Sequence, residues 1–339
     1  MTAVRRVLVV TLRSIGDVVL STPVIRAIRQ HLPTAHLAVL VLSGSADLLT
    51  HHPDLDERLI AVNEALTTGP LTARAATHGR LIQRLRAGRF DLLIDLTDSD
   101  RTAVLSGLSG ARRRVGLNTG GCLRGLWYHT VVRPERPRQH FVESCLQTLE
   151  GLAVPVQSRE LVLPIESADE TAAAELVAAA GVSHGGAYVV LHLGGWWRCP
   201  AWSLEQYGQL ADRIQQELAR DIVMVGTEAD RPALEKVRTA MKTRVFSLAG
   251  RTTLPQLAAL IRRARAFIGG NSGPMHIAAA VKTPVIALFG PEREAGIMTP
   301  WGHGHTVFYP GMSGKTVHTD EVYAAVRSVL TAPAAGRPA

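Results

Sequence analysis

Two successive Rossmann-like α/β domains, each a parallel sheet with helices on both faces, are the fold class this sequence predicts. Three observations predict it. The chain has 339 residues, which at about 150 residues per domain is two domains and not one core. Its β-branched runs are apolar at consecutive positions, as in strands covered on both faces, and amphipathic segments separate them. The alternation also begins afresh after an interruption between Val154 and Gly186, where Pro155, Pro164 and a Gly185–Gly186 pair surround one Ala-rich helix, Asp169–Ala180.

In the first half, strands are predicted at Val4–Leu12, His36–Leu42, Leu59–Val62 and Phe90–Leu96, with helices at Val18–His31 and Leu71–Ala87. In the second half they are predicted at Ala187–Leu193, Ile222–Gly226, Val245–Leu248, Ala266–Gly269 and Pro284–Phe289. Helices there are predicted at Leu204–Ala219, Asp230–Met241, Leu254–Arg263 and Pro274–Val281. The domains are placed at 1–165 and 166–332, and the Pro- and Ala-rich tail 333–339 is expected to be disordered. Ligands of open α/β sheets bind at the carboxyl ends of strands, so chemistry is sought in the loops that follow them.

Composition narrows the function classes. Hydrophobic residues make up 46% and charged residues 19% of the chain, which is globular composition. The longest apolar runs, such as Val7–Leu12 and Leu37–Leu42, fall well short of the roughly 20 residues of a membrane span. Arg13 and Asp17 interrupt the N-terminal apolar run too early for a signal peptide, so it reads as the first strand of a cytoplasmic protein. Cys122, Cys145 and Cys199 have no Cys-x-x-Cys spacing, which fits a reducing compartment without disulfides or structural zinc. The net charge of +8 is dispersed and Arg-rich, with only four lysines. It therefore suits an anionic small ligand better than nucleic acid, which wants a continuous basic stripe.

Four loops carry candidate chemistry. After the first strand, Gly16 allows a tight turn and Asp17 sits where a helix begins. There Asp17 is either an N-cap or a general base at the sheet edge. After Ala266–Gly269, the run Gly270-Asn271-Ser272-Gly273 opens an Ala-rich helix carrying His276. Its free N–H groups and glycines suit a phosphate. After the strand ending near His192, Gly194 and Gly195 lead into Trp196, Trp197, Arg198 and Trp202, a turn that suits a sugar or nucleotide or simply fastens the loop to the core. Glu228 ends a further strand and either holds ribose hydroxyls or simply faces solvent. Asp91, Asp95, Asp98 and Asp100 cluster, but not at a metal-ligand spacing, and are read as caps and turns. No Walker A loop, early Gly-x-Gly-x-x-Gly or nucleophile elbow is present, which argues against a P-loop enzyme, a dehydrogenase and an α/β-hydrolase.

With these residues in view, the chain resembles glycosyltransferase family 9, the bacterial ADP-heptose:lipopolysaccharide heptosyltransferases and their relatives, over about residues 4–330. The shared signatures are RSIGDVVLSTP from Arg13, FDLLIDL from Phe90, RVGL from Arg114 and His140-x-x-Glu143. The second half adds His192-x-Gly-Gly-x-Trp, VGTE from Val225, GNSGPMHIAAA from Gly270 and TPVIALFGP from Thr283. The resemblance implies a GT-B architecture, two Rossmann-like domains facing across a cleft, and an inverting, metal-independent transfer of a sugar from a nucleotide donor. By position the family's base falls on Asp17, with Arg13, Ser14 and Gly16 on the acceptor side. The donor's phosphates fall on Ser272, Gly273 and His276, with Asn271 beside them, its ribose on Glu228, and the Gly194–Gly195 turn against the donor sugar or phosphates.

Two departures stand out. The family's third-loop Lys falls on Cys199 or Pro200, with Arg198 beside it as the candidate substitute, and the usual Asp-Thr is Asn271-Ser272. The resemblance implies an ADP-linked donor, an acceptor hydroxyl on lipopolysaccharide core or on a small or anionic metabolite, no cofactor, and at most peripheral membrane contact. The rival readings are a nucleotide-sugar epimerase or hydrolase on the same fold and a non-catalytic sugar-nucleotide binder.

Overall fold

A computed structural model describes residues 4–121, 124–134, 139–182, 188–194, 202–290, 296–309 and 317–332. The chain divides into two compact units, Met1–Pro164 and Ile165–Ala339. In the first, the elements are β1 Arg6–Thr11, α1 Ile15–His31, β2 His36–Leu42, β3 Glu57–Ala61, α2 Asn63–Thr67, α3 Leu71–Ala87, β4 Leu92–Asp95, α4 Asp100–Leu108, β5 Arg113–Leu117, β6 Thr130–Val132 and α5 Phe141–Glu150. In the second they are α6 Ser167–Ala179, β7 Tyr188–His192, α7 Leu204–Leu218, β8 Asp221–Val225, α8 Arg231–Ala240, β9 Phe246–Ser247, α9 Leu254–Arg263, β10 Ala266–Gly269, α10 Gly273–Ala280, β11 Val285–Leu288, β12 Thr306–Phe308 and α11 Thr319–Thr331.

Each unit holds one six-stranded sheet, ordered β3-β2-β1-β4-β5-β6 in the first and β9-β8-β7-β10-β11-β12 in the second. All the pairings are parallel. Counted from its own first strand, each sheet therefore runs 3-2-1-4-5-6. The strand order reverses between β1 and β4 in one unit and between β7 and β10 in the other, and ligands of such sheets bind at the carboxyl edge of that reversal. Every candidate loop of the sequence leaves a strand at or next to one of these two points.

The strands are apolar for the reason the sequence suggests. Leu8, Val10, Leu40, Leu59 and Leu93 pack with Leu81 and Leu85 of α3 on one face of the first sheet. Val9, Val39 and Ile94 are equally buried on the other. In the second unit Trp202 is enclosed, its indole N–H donates to Val317 O at 3.1 Å, and Tyr207 meets it edge-on at 5.0 Å. Of the Trp-rich loop, this tryptophan is therefore a fastener to the core; Trp196 and Trp197 lie outside the described residues.

Helix α1 continues through Pro23, which cannot donate to Val19 O. Thr22 Oγ1 donates to that carbonyl instead, at 2.7 Å, and accepts from Val162 N at 2.9 Å, tying the returning chain to the same turn. Three strands were not predicted. β5 opens on the partly solvated Arg113 and Arg114, and β6 and β12 are half-buried three-residue edges, too short to show a hydrophobic period. Helices α2, α4, α5 and α11 also went unpredicted. The predicted tail 333–339 lies outside the described residues. Among the described residues no helix is long and apolar enough to cross a membrane.

Candidate active site

The β1–α1 turn is built by a capping box. Ser14, in extended backbone, is the N-cap, and Asp17 is the third residue of the helix. Asp17 Oδ2 accepts from Ser14 N–H at 3.2 Å and from Ser14 Oγ–H at 2.5 Å, while Oδ1 lies 2.9 Å from Arg13 Nε. Of the two readings of Asp17, the N-cap one is corrected: Ser14 fills that position and Asp17 reaches back to it. Gly16, expected as a turn glycine, is helical and has no positive φ. The turn is made by residues 12–14. Asp17 is buried apart from a thin exposed rim, and Arg13 is partly exposed. Arg13 also lies over the Phe141 ring at 4.8 Å and donates through Nη1 to Thr97 O at 2.9 Å. Cys145 of α5 is fully buried nearby, and burial pushes its thiol up, so it is inert packing.

The second unit gathers a different set. β7 ends in His192, which is buried and pushed down to about 4 by desolvation, the Asp230 carboxylate opposing that shift. The ring is thus neutral at pH 7. Its Nδ1 lies 3.2 Å from Ser272 Oγ, and the ring stacks on Phe267 with centroids 6.2 Å apart. A Cβ at Gly194 would stand 2.3 Å from His192 Cε1, so only glycine lets the chain leave β7 over this ring.

Ser272 is the N-cap of α10, yet its hydroxyl does not cap the helix. It lies 3.2 Å from Gly270 O as well as from His192. The first N–H groups of α10 therefore keep their capacity to hold an anion. His276 is buried one turn into α10, and Asn271 is half-buried before it. Glu228 follows β8, is exposed, and pairs with Arg231 at 2.9 Å. Its carboxylate lies over Gly250, where φ is +71° and a Cβ would come within 2.7 Å of Oε2.

The predicted residues thus fall into two groups, Arg13, Ser14, Gly16 and Asp17 in one unit and Gly194, Glu228, Asn271, Ser272, Gly273 and His276 in the other. Gly195 and Arg198 lie outside the described residues. The four aspartates do not converge. Asp91 accepts from Arg5 and Arg6 N–H at 2.9 and 3.0 Å at the opposite edge of the sheet, Asp98 and Asp100 clamp Arg124 at 2.5 and 2.6 Å, and Asp95 is enclosed in the core. Sequence reasoning assigned no role to His192 or Thr97, although His192 stands in a quoted signature.

Comparison with known proteins identifies the family and the fold. The model of "Glycosyltransferase family 9 (heptosyltransferase)" matches residues 78–323. Lipopolysaccharide heptosyltransferase 3 of Escherichia coli K12 is 31% identical over 301 residues, covering 87% of this chain and 85% of that protein. Among solved structures, a glycosyl transferase family 9 protein from Veillonella parvula superposes with a TM-score of 0.85 at 22% identity, covering 96% and 97% of the two chains. Escherichia coli heptosyltransferase WaaC, solved with ADP, gives 0.75 at 19% identity, covering 96% and 99%. The architecture is GT-B, and with two Rossmann-type sheets and the family's loops at both strand-order reversals, the chain belongs to glycosyltransferase family 9, the heptosyltransferases.

Proposed function

We propose that this glycosyltransferase is an inverting, metal-independent enzyme that moves heptose from an ADP-linked donor to a hydroxyl of lipopolysaccharide core. The observation that carries the reading is that each sheet presents a different half of the chemistry at its strand-order reversal. One holds a carboxylate, Asp17, and the other an open helix N-terminus, at Ser272–Gly273. As the acceptor oxygen attacks the anomeric carbon, its proton passes to Asp17 and the bond from that carbon to the diphosphate oxygen breaks. Attack on the face opposite the leaving group inverts the centre. The departing ADP carries the charge that the α10 N–H groups and dipole stabilise.

Arg13 and Ser14, which touch Asp17, belong with the acceptor, as does Gly16 beside it. In this reading Glu228 holds the ribose, Asn271 and His276 lie beside the phosphates, and Gly194 lies against the sugar or phosphates. Gly195 and Arg198 complete the donor loop. The ADP assignment is supported by the WaaC structure solved with ADP, and the core acceptor by the lipopolysaccharide heptosyltransferase relatives. Such a reaction belongs in the cytoplasm, where nucleotide sugars are made.

The deciding experiment is thermal stabilisation by ADP, UDP and GDP, followed by transfer from ADP-heptose to lipopolysaccharide core. A nucleotide at 100 times its Kd adds about 2.7 kcal/mol. Stabilisation by ADP with ADP release dependent on core acceptor is expected. A response to UDP or GDP alone overturns the donor, free heptose without acceptor points to a hydrolase, and transfer only to a small hydroxylated metabolite replaces the acceptor.

A further inference from the structure

We propose that Asp95 is a positioning residue for Asp17, acting through Thr97 and Arg13; this rests on Asp17 being the base. Asp95 closes β4 and has no exposure at all. Burial pushes its carboxyl above the ordinary range, so a carboxylate at this place has to be held by donors. Oδ1 accepts from Thr97 N–H at 2.8 Å, and Oδ2 accepts from Tyr128 Oη–H at 2.8 Å and Ser106 Oγ–H at 3.2 Å. The donors come from three places: the end of β4, α4 and the β5–β6 connection. Tyr128 reaches Asp95 across Gly116, where a Cβ would stand 2.3 Å from its ring. A carboxylate is acceptor-only, and the groups around it all donate.

What the network fixes is Thr97, and Thr97 spends its remaining groups on the far side of the strand-order reversal. Its Oγ1 accepts from Leu12 N–H at 3.0 Å, and its carbonyl accepts from Arg13 Nη1 at 2.9 Å. Arg13 is otherwise a long side chain with considerable rotamer freedom. Thr97 on one side and the Phe141 face on the other leave it one position, with Nε 2.9 Å from Asp17 Oδ1. The path from Asp95 to Asp17 thus runs through contacts of 2.8, 2.9 and 2.9 Å. A carboxylate that contacts no reactant thereby sets where the base points. A network serving stability alone would alter the melting temperature and leave turnover of the folded enzyme untouched.

The test measures kcat and both KM values with ADP-heptose and lipopolysaccharide core. Asp95→Leu removes the whole acceptor and Asp95→Ser leaves a side chain too short to reach Thr97 N–H, so both cut the path at its first bond, whereas a substitution at Thr97 would keep both of its backbone bonds. Misplacement of a catalytic group by about 1 Å costs on the order of 100-fold, so kcat falls by roughly 10- to 100-fold while both KM values stay within about threefold. Asp95→Asn, which keeps an acceptor in place, restores most of it. In an Asp17→Asn background Asp95→Ser adds no further loss, because its effect runs through the base. Independently of turnover, the Arg13 Nε–H resonance in a ¹⁵N spectrum changes its chemical shift in Asp95→Ser, because the side chain leaves its place beside Asp17.

If Asp95→Leu does not fold, Asp95→Ser decides. Wild-type kcat and an unchanged Arg13 signal in folded Asp95→Ser overturn the proposal, as does an undiminished loss on top of Asp17→Asn. Asp17→Asn with normal turnover removes the base reading itself. An impaired Asp17→Asn beside an unimpaired Asp95→Ser removes only the role of Asp95.

Discussion

Asp17 is the residue on which the proposed chemistry turns, and its local geometry separates two roles. As the third residue of a capping box it accepts from Ser14 N–H and Oγ–H, and an Asn there would still accept through one oxygen. Asp17→Asn therefore keeps the turn but cannot take up a proton, and kcat should fall by roughly 10²- to 10⁴-fold with little change in donor KM or Tm. A variant that turns over normally would leave Asp17 with capping alone. Gly194 carries a second prediction. Its alanine methyl would stand 2.3 Å from the His192 ring, so the ring shifts and Ser272 loses its Nδ1 partner. Gly194→Ala should cost about 1–3 kcal/mol of stability, the range for overpacking, and raise donor KM. Denaturant unfolding and donor titration check both, and an unchanged donor KM would detach His192 from the donor site.

Among the elements, α10 has the sharpest functional signature. It is one of the shorter helices, eight residues from Gly273 to Ala280, and its N-cap hydroxyl turns towards His192 and Gly270 instead of its own backbone. Ser272→Ala removes that contact, and Gly273→Ala puts a methyl where the diphosphate would approach the first turn. Donor KM should rise in both, by about 1.5–3 kcal/mol of binding where a hydrogen bond to a charged oxygen is lost. Melting should stay near wild type, and an unchanged KM in both would place the phosphates elsewhere. The longer helices were legible from sequence, and α3 and α9 have the predicted bounds, Leu71–Ala87 and Leu254–Arg263. β6 and β12 were not, because three half-buried residues carry no period, and their place is fixed by pairing to β5 and β11.

At the scale of the whole molecule, two buried histidines make stability pH-dependent. Burial pushes His52 and His192 down to about 4, in both cases against the pull of a nearby aspartate, while the unfolded value is 6.5. Between those values the unfolded chain binds more protons than the folded one, so stability is lost as pH falls from about 6.5 towards 4. Each histidine contributes on the order of 3 kcal/mol to that loss. Asp95, pushed up by burial, acts with the opposite sign. Comparing His52→Gln with wild type cancels its contribution. The variant should show a flatter fall in Tm between pH 7 and pH 4.5, and parallel curves would mean that His52 does not titrate in folding.

The sequence by itself determined the two-fold βα grammar, the fold class and most of the candidate site. Apolar β-branched runs such as Val7–Leu12, alternating with amphipathic segments, read as strands covered on both faces, and Asp17 and Asn271–His276 stand where the chain leaves such strands and opens a helix. Those are properties of spacing, which a linear chain displays. Only the tertiary structure decided that both sheets share one strand order, that Ser14 and not Asp17 is the N-cap, and that Asp95 and Thr97 lie behind Arg13. Asp95 is separated from Arg13 by some eighty positions in the chain, and nothing in either segment announces the other. Their meeting follows from β1 pairing with β4. Parallel pairing joins residues distant in sequence, so a network across it becomes visible only when the sheet is formed.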